Sequence, residues 1–176
     1  MRSKTRIDCD KAVESYLPFI FNELKTGEVL YVGTAGDPTP KGEYSNYFKD
    51  FNVTSMDVDK KWNPDIVMDI RTAYRQIDKK YDIIIMTQVI EHIPNFWVLP
   101  EALWNLLNYN GFLIIDCPFN YPYHPEPPSF GDYWRITQDG FRELFEGVFK
   151  FSEVLIIVQK IIRPFCLRKY EINIRL

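Results

Sequence analysis

Apolar positions along this chain follow two rhythms, short unbroken runs and stretches spaced three or four residues apart. Runs of the first kind fall at residues 28–32, 52–56, 65–68, 81–86 and 112–115. The run IIIM within 81–86 is strongly β-branched, as a strand covered on both faces requires. Helical spacing places Val13, Leu17, Ile20, Phe21 and Leu24 on one side of a helix over residues 11–24, which Pro18 should bend or restart. That helix belongs at the sheet's edge or as a cap over a cleft. A second helix is expected over residues 41–50, with Tyr44, Tyr47 and Phe48 on one side. A third opens near Pro100, carries Leu103, Trp104, Leu106 and Leu107, and ends at Gly111. Strand and helix signals in alternation mark an α/β fold with a mostly parallel sheet and helices on both faces. Residues 149–158 and 167–174 read as two strands with no long helix between them, an antiparallel hairpin closing a seven-stranded sheet.

Two features inside that pattern bear on chemistry. The first strand ends in a glycine turn, VGTAGD, and the next, FNVTSMD, ends in Asp57. A strand, a glycine turn and an acidic residue at the end of the following strand are the parts that hold a nucleoside-bearing cofactor. The second feature is the irregular stretch 117–134, rich in proline and aromatic residues, and a loop of that length in a small domain is more often functional than accidental.

Composition narrows the reading. With 176 residues, 46% of them hydrophobic and 16% aromatic, the chain suits one folded domain spanning 1–176. A net charge of -3 and a pI near 5.5 argue against nucleic acid as a partner. The three cysteines are widely spaced and form no CxxC pair, which fits a reducing compartment. No run approaches the roughly twenty apolar residues of a membrane span, and the expectation is a soluble cytoplasmic protein.

The segments VLYVGTAGD, SMDVD, PDIVMDI, YDIIIMTQVIEHI and NGFLIIDCPF, in that order, resemble a class I S-adenosylmethionine-dependent methyltransferase over roughly residues 27–120. VIEHI after YDIII is the most specific piece. The segment HPEPPSFGDYWRITQDGFRELF is also similar to a pattern in small members of the group, several of them associated with glycan or cell-surface assembly. The resemblance implies a Rossmann-like fold and S-adenosyl-L-methionine as cofactor. It implies a cofactor site made of Gly33, Thr34, Ala35 and Gly36 in the turn, Asp57 for the ribose with Asp59 able to share that role, Val58 beside them, and Asp69 and Ile70 at the adenine. Gln88, Val89 and His92 would lie beyond the fourth strand. The chain departs from the family where it has Tyr31 in place of an acidic residue, and Ala35 and Asp37 at two glycine positions.

Methyl transfer to an alcohol requires that a proton leave, and the chain has two histidines for that task, His92 and His124. His92 reads as a structural or cofactor-side residue ahead of a catalytic one. For His124 two readings stand, a general base oriented by Asp132 or a loop histidine packed among tyrosines. Arg135 reads as a phosphate ligand or as the ion-pair partner of Asp132 or Asp139. The loop aromatics Phe119, Tyr121, Tyr123, Phe130, Tyr133 and Trp134 would stack on sugar rings or belong to the core. HPEP with DYWR is too loosely spaced for a ligand set, and no metal is expected. The expected activity is O-methylation of a sugar, glycan or other small-molecule hydroxyl, with methylation of a ring carbon or amine and a non-catalytic cofactor-binding relative as alternatives. The acceptor site must come from the first helix, the Pro-rich loop or a second subunit, as in a homodimer.

Overall fold

The computed structural model describes residues 4–34, 46–125, 128, 130–153 and 165–168. Helix α1 (Lys4–Glu23) leads into β1 (Gly27–Val32). There follow β2 (Phe51–Asp57), β3 (Ile66–Val67), α2 (Ile70–Ala73), β4 (Tyr81–Thr87), α3 (Leu99–Leu106), β5 (Leu107–Asp116), α4 (Gln138–Phe145), β6 (Lys150–Glu153) and β7 (Phe165–Arg168). Strands β3, β2, β1, β4 and β5 lie side by side in that order, all parallel. This is the Rossmann-like α/β arrangement that the alternating pattern predicts. Beyond β5 the sheet continues with β7, antiparallel to it, and β6, antiparallel to β7. The rest of the runs at 149–158 and 167–174, and most of the helix expected over 41–50, lies outside the described residues. Among the described residues no helix is long and apolar enough to cross a membrane.

The three central strands are apolar on both faces, and their pleat divides the core in two. Val29 and Tyr31 of β1, Ile83 and Ile85 of β4, and Phe112 and Ile114 of β5 point to one face. Leu30, Val32, Ile84, Met86, Leu113 and Ile115 point to the other, where α2, α3 and α4 cover them with Ile70, Leu103 and Phe141 among others. The first face is covered by α1 through Val13, Tyr16, Leu17 and Ile20. Helix α1 therefore sits on the sheet's face, neither at its edge nor over its mouth. It also runs unbroken through Pro18. An interior proline costs about 3 kcal/mol or more, and burial of apolar residues on both sides of it outweighs that cost.

The third helix departs from expectation at its end. Helix α3 stops at Leu106, and Leu107 already pairs with Tyr81 in the sheet, whereas Ile83 pairs with Phe112. Residues 108–111 therefore bulge out of β5, and Asn110 takes the left-handed backbone, φ 62°, that the bend requires. Gly111 closes the bulge rather than the helix. A Cβ there would lie 2.9 Å from the Leu107 side chain and 3.0 Å from the carbonyls of Asn108 and Asp82. Helix α4 had no counterpart in the periodicity, although Thr137 caps it, its side chain accepting the Gly140 N–H at 3.0 Å.

Asp82 of β4 ties these parts together. One carboxylate oxygen accepts the Glu28 N–H at 2.8 Å, at the start of β1, and the other accepts the Asn108 amide at 2.7 Å, in the bulge. Asp82→Ala should lower the unfolding free energy by roughly 1–3 kcal/mol, because two hydrogen bonds are lost together. The midpoint of urea denaturation measures it; a variant as stable as the parent would mean that strand pairing alone holds the bulge.

Candidate active site

The carboxyl ends of β1, β2 and β4 open onto a cleft of about 610 Å³. Gly33, the residue after β1, has φ +83°, and its N–H donates to the Met56 carbonyl at 2.9 Å. A Cβ at this position would overlap a methyl group of Val89, so both backbone and space demand glycine. The chain then passes Thr34, whose N–H donates to Asp57 Oδ2 at 2.8 Å with its hydroxyl at 3.3 Å. The Asp59 N–H donates to Asp57 Oδ1 at 2.9 Å. Asp57 is thereby fixed in orientation at the lip of the cleft, and Thr34 stands buried behind it. Ala35 and Gly36 lie outside the described residues.

Along the next wall stand Val58, Asp69 and Ile70. Asp69 caps α2, accepting the Arg71 N–H at 2.9 Å, and Arg71 Nε lies 3.0 and 2.9 Å from its two oxygens. Partial burial opposes the charge on Asp69, and the hydrogen bonds and charge of Arg71 outweigh it, so its pKa lies below the usual carboxylate range. Arg71, which also donates to Asn95, lines the cleft and was not foreseen. The cue was local, since a capping aspartate leaves carboxylate oxygens within reach of an arginine two residues on.

Gln88 and Val89 follow β4. Gln88 adopts φ 56°, and both its N–H and its side-chain amide donate to Asp116 Oδ1, at 2.8 and 2.7 Å. Its amide nitrogen is thus committed to the end of β5.

The far wall is built by the Pro-rich loop, stapled to the 3-10 turn Ile90–His92. The Tyr133 N–H donates to the Glu91 carbonyl at 2.8 Å, and the Trp134 indole donates to the Ile93 carbonyl at 2.9 Å. This brings the two histidines together, with ring centroids 5.0 Å apart. His92 Nδ1 meets the Gly131 carbonyl. His124 Nδ1 lies 3.0 Å from both the Pro122 carbonyl and Asp132 Oδ2. Arg135 grips Asp132 with two nitrogens at 2.6 and 2.7 Å and holds its carboxyl down at about 2. Arg135 is therefore the ion-pair partner of Asp132. Burial lowers the His92 imidazole, which favours its neutral form.

Glu91, which the sequence offers only as a fallback for the base, stands at the centre of this wall. It is fully buried, neither carboxylate oxygen has a hydrogen-bond partner outside the residue's own backbone N–H, and burial pushes its pKa well above the ordinary range. Its Oε1 lies 3.7 Å from His92 Nε2 and 3.9 Å from His124 Nε2.

Of the residues expected in a site, Gly33, Asp57, Val58, Asp69, Ile70, Gln88, Val89, His92 and His124 line this one cleft. Asp132 stands behind His124 and Thr34 behind Asp57.

No protein-family model and no curated protein matches the chain. Solved structures do. An S-adenosylmethionine-dependent methyltransferase from Clostridium acetobutylicum superposes with a TM-score of 0.67 at 11% identity, covering 96% of this chain and 93% of that one. The N-methyltransferase NodS from Bradyrhizobium japonicum, in complex with S-adenosyl-L-homocysteine, gives 0.62 at 11% identity over 93% and 88%. The Burkholderia thailandensis 1,6-didemethyltoxoflavin-N1-methyltransferase, with bound 1,6-didemethyltoxoflavin and S-adenosylhomocysteine, gives 0.60 at 14% over 91% and 79%. At 11–14% identity, what these proteins share with the chain is the Rossmann-like α/β fold.

Proposed function

We propose that the chain is an S-adenosylmethionine-dependent methyltransferase acting on a hydroxyl of a small-molecule or glycan acceptor. The observation that carries this reading is a single cleft with a glycine turn and an oriented aspartate at one end and an oriented histidine at the other.

The residues fit the cofactor. Asp57 offers about four acceptor positions, and the N–H groups of Thr34 and Asp59 take one on each oxygen. The remaining capacity, on Oδ1 above all, suits ribose hydroxyls. Gly33 lets backbone come close where any side chain would collide with Val89. Val58, Ile70 and Val89 supply apolar surface for a flat ring. Asp69 is already neutralised by Arg71, so those apolar contacts carry more of the adenine recognition than its carboxylate does. The cofactor supplies, when bound, a methyl group on a positively charged sulfur.

The chain's own contribution is to place the acceptor and take its proton. With Nδ1 against the Pro122 carbonyl and the Asp132 carboxylate, His124 carries its proton on Nδ1 and keeps a lone pair on Nε2. That is the tautomer a general base needs, and Arg135 keeps Asp132 charged to hold it. An amine would need this device less than a hydroxyl does. Tyr121, Phe130 and the half-exposed Tyr133 line the same side of the cleft and supply aromatic surface of the kind that suits sugars.

Two measurements test the reading. Asp57→Ala should weaken S-adenosylhomocysteine binding by roughly 1–3 kcal/mol in calorimetry; an unchanged affinity would put the ribose elsewhere. With an acceptor found among nucleotide sugars and methyl glycosides, His124→Ala should lower turnover roughly 100- to 10,000-fold. Its cofactor affinity should stay constant, and His124→Gln should not rescue it. Near-normal turnover in His124→Ala would remove the base from the mechanism.

A further inference from the structure

We infer that Glu91, His92 and His124 form a binding site for one borderline divalent transition-metal ion of the Zn²⁺ class. The inference goes beyond methyl transfer and does not depend on it.

The first observation is the buried Glu91 side chain. A fully buried carboxylate with no hydrogen-bond partner beyond its own backbone N–H is costly unless it stays neutral or meets a positive charge. What its Oε1 meets is two imidazole Nε2 atoms, at 3.7 and 3.9 Å, and the three ligand atoms all lie within 4.8 Å of one another. Ligands at 2.0–2.2 Å from a tetrahedral ion stand roughly 3.4 Å apart. The two carboxylate–imidazole spacings exceed that by only a few tenths of an ångström, whereas the two imidazoles, within 4.8 Å of each other, must approach by up to about 1.4 Å.

The second observation is independent, and it concerns the far side of each ring. Metal-binding histidines almost always direct the other ring nitrogen to a carboxylate or a backbone carbonyl, which fixes the tautomer and raises ligand basicity. Both histidines here do so, His92 through the Gly131 carbonyl and His124 through Asp132 and the Pro122 carbonyl. Both Nε2 atoms are left as lone-pair donors on the side where Glu91 lies. Two imidazoles and one carboxylate suit Zn²⁺ or Co²⁺ better than Mg²⁺ or Ca²⁺, which prefer all-oxygen shells. The cleft, which His92 and His124 line, leaves the fourth position to water or a ligand. An ion in this site occupies the same His124 lone pair that would accept a hydroxyl proton, so the ion and the imidazole base exclude each other.

The test is titration of the whole, tag-free, metal-stripped protein with Co²⁺, without cofactor or acceptor. The chain has two histidines in all, which makes the readout specific. One equivalent should produce visible d–d bands without a thiolate charge-transfer band, broaden the NMR signals of both imidazoles, and be displaced by Zn²⁺. Glu91→Gln and His124→Ala should each weaken binding roughly a hundredfold or more, and Asp132→Asn about ten- to a hundredfold. These variants are scored only if they remain folded by circular dichroism; the unmutated protein decides the matter in any case. Absence of the bands, a thiolate band placing the ion on cysteine, or broadening of one imidazole alone would overturn the site. Loss of methyl transfer alone would leave it standing.

Discussion

Parallel pairing holds Val32 of β1 level with Met56 of β2 on one side and Met86 of β4 on the other, and Met86 level with Ile115 of β5. Four strands therefore end at one height, and the residues that follow leave the sheet together. Gly33 emerges beside Asp57, and Thr87 beside Asp116. A parallel sheet directs all its strand ends to one edge, where helices must reverse the chain and a crevice opens between them. The cleft is a consequence of this register. A slip of one residue in β1 would turn Tyr31 to the opposite face and carry the Gly33 turn away from the aspartate that it orients.

The register explains the near wall of the cleft, whereas the far wall depends on a second attachment. Among its described residues the Pro-rich loop forms only isolated bridges, at Pro118 and Phe130, and no strand, and backbone hydrogen bonds from Tyr133 and Trp134 to the Glu91 carbonyl dock it on the turn after β4. The indole of Trp134 adds bonds to the carbonyls of Ile93 and Pro94 while its ring packs against Phe96. Arg135 then braces the loop from within, spanning Asp132 and the carbonyl of Tyr121. His124 is placed by these contacts rather than by any helix or strand, which makes the loop's docking the determinant of its position.

What was legible in the sequence divides along the same line. The strands β1, β2, β4 and β5 were readable because a strand covered on both faces must be apolar throughout, and the strand-end positions of Gly33, Asp57 and Asp69 follow from strand length alone. Leu107 was misread as helical because one leucine serves either element, and only the left-handed Asn110 and its bulge show which one claimed it. Pro18 misled because the rule against interior prolines carries no knowledge of the sheet beneath the helix. The Glu91, His92 and His124 cluster was beyond reach for another reason. Its members belong to segments far apart in the chain, and HPEP with DYWR examined alone lacks the two ligands that the turn after β4 supplies.

Electrostatics joins the two ends of the cleft. Glu91 lies within the field of Asp116 and Asp132, with the Arg135 guanidinium as the countering charge and the nearby His92 imidazole held toward its neutral form by burial. Arg135 is already committed to Asp132 through a two-point contact. The deepest part of the site thus holds more acidic groups than fixed cations, in surroundings where little water is present to screen them. A neutral ligand gains nothing from that imbalance, whereas a positive charge brought there relieves the cost of keeping Glu91 buried. A sulfonium group and a divalent metal ion both carry such a charge. The same acidic floor therefore favours the proposed cofactor and the proposed ion, and His124 is the residue at which their demands diverge, since it can hold an ion or accept a proton but cannot do both at one nitrogen.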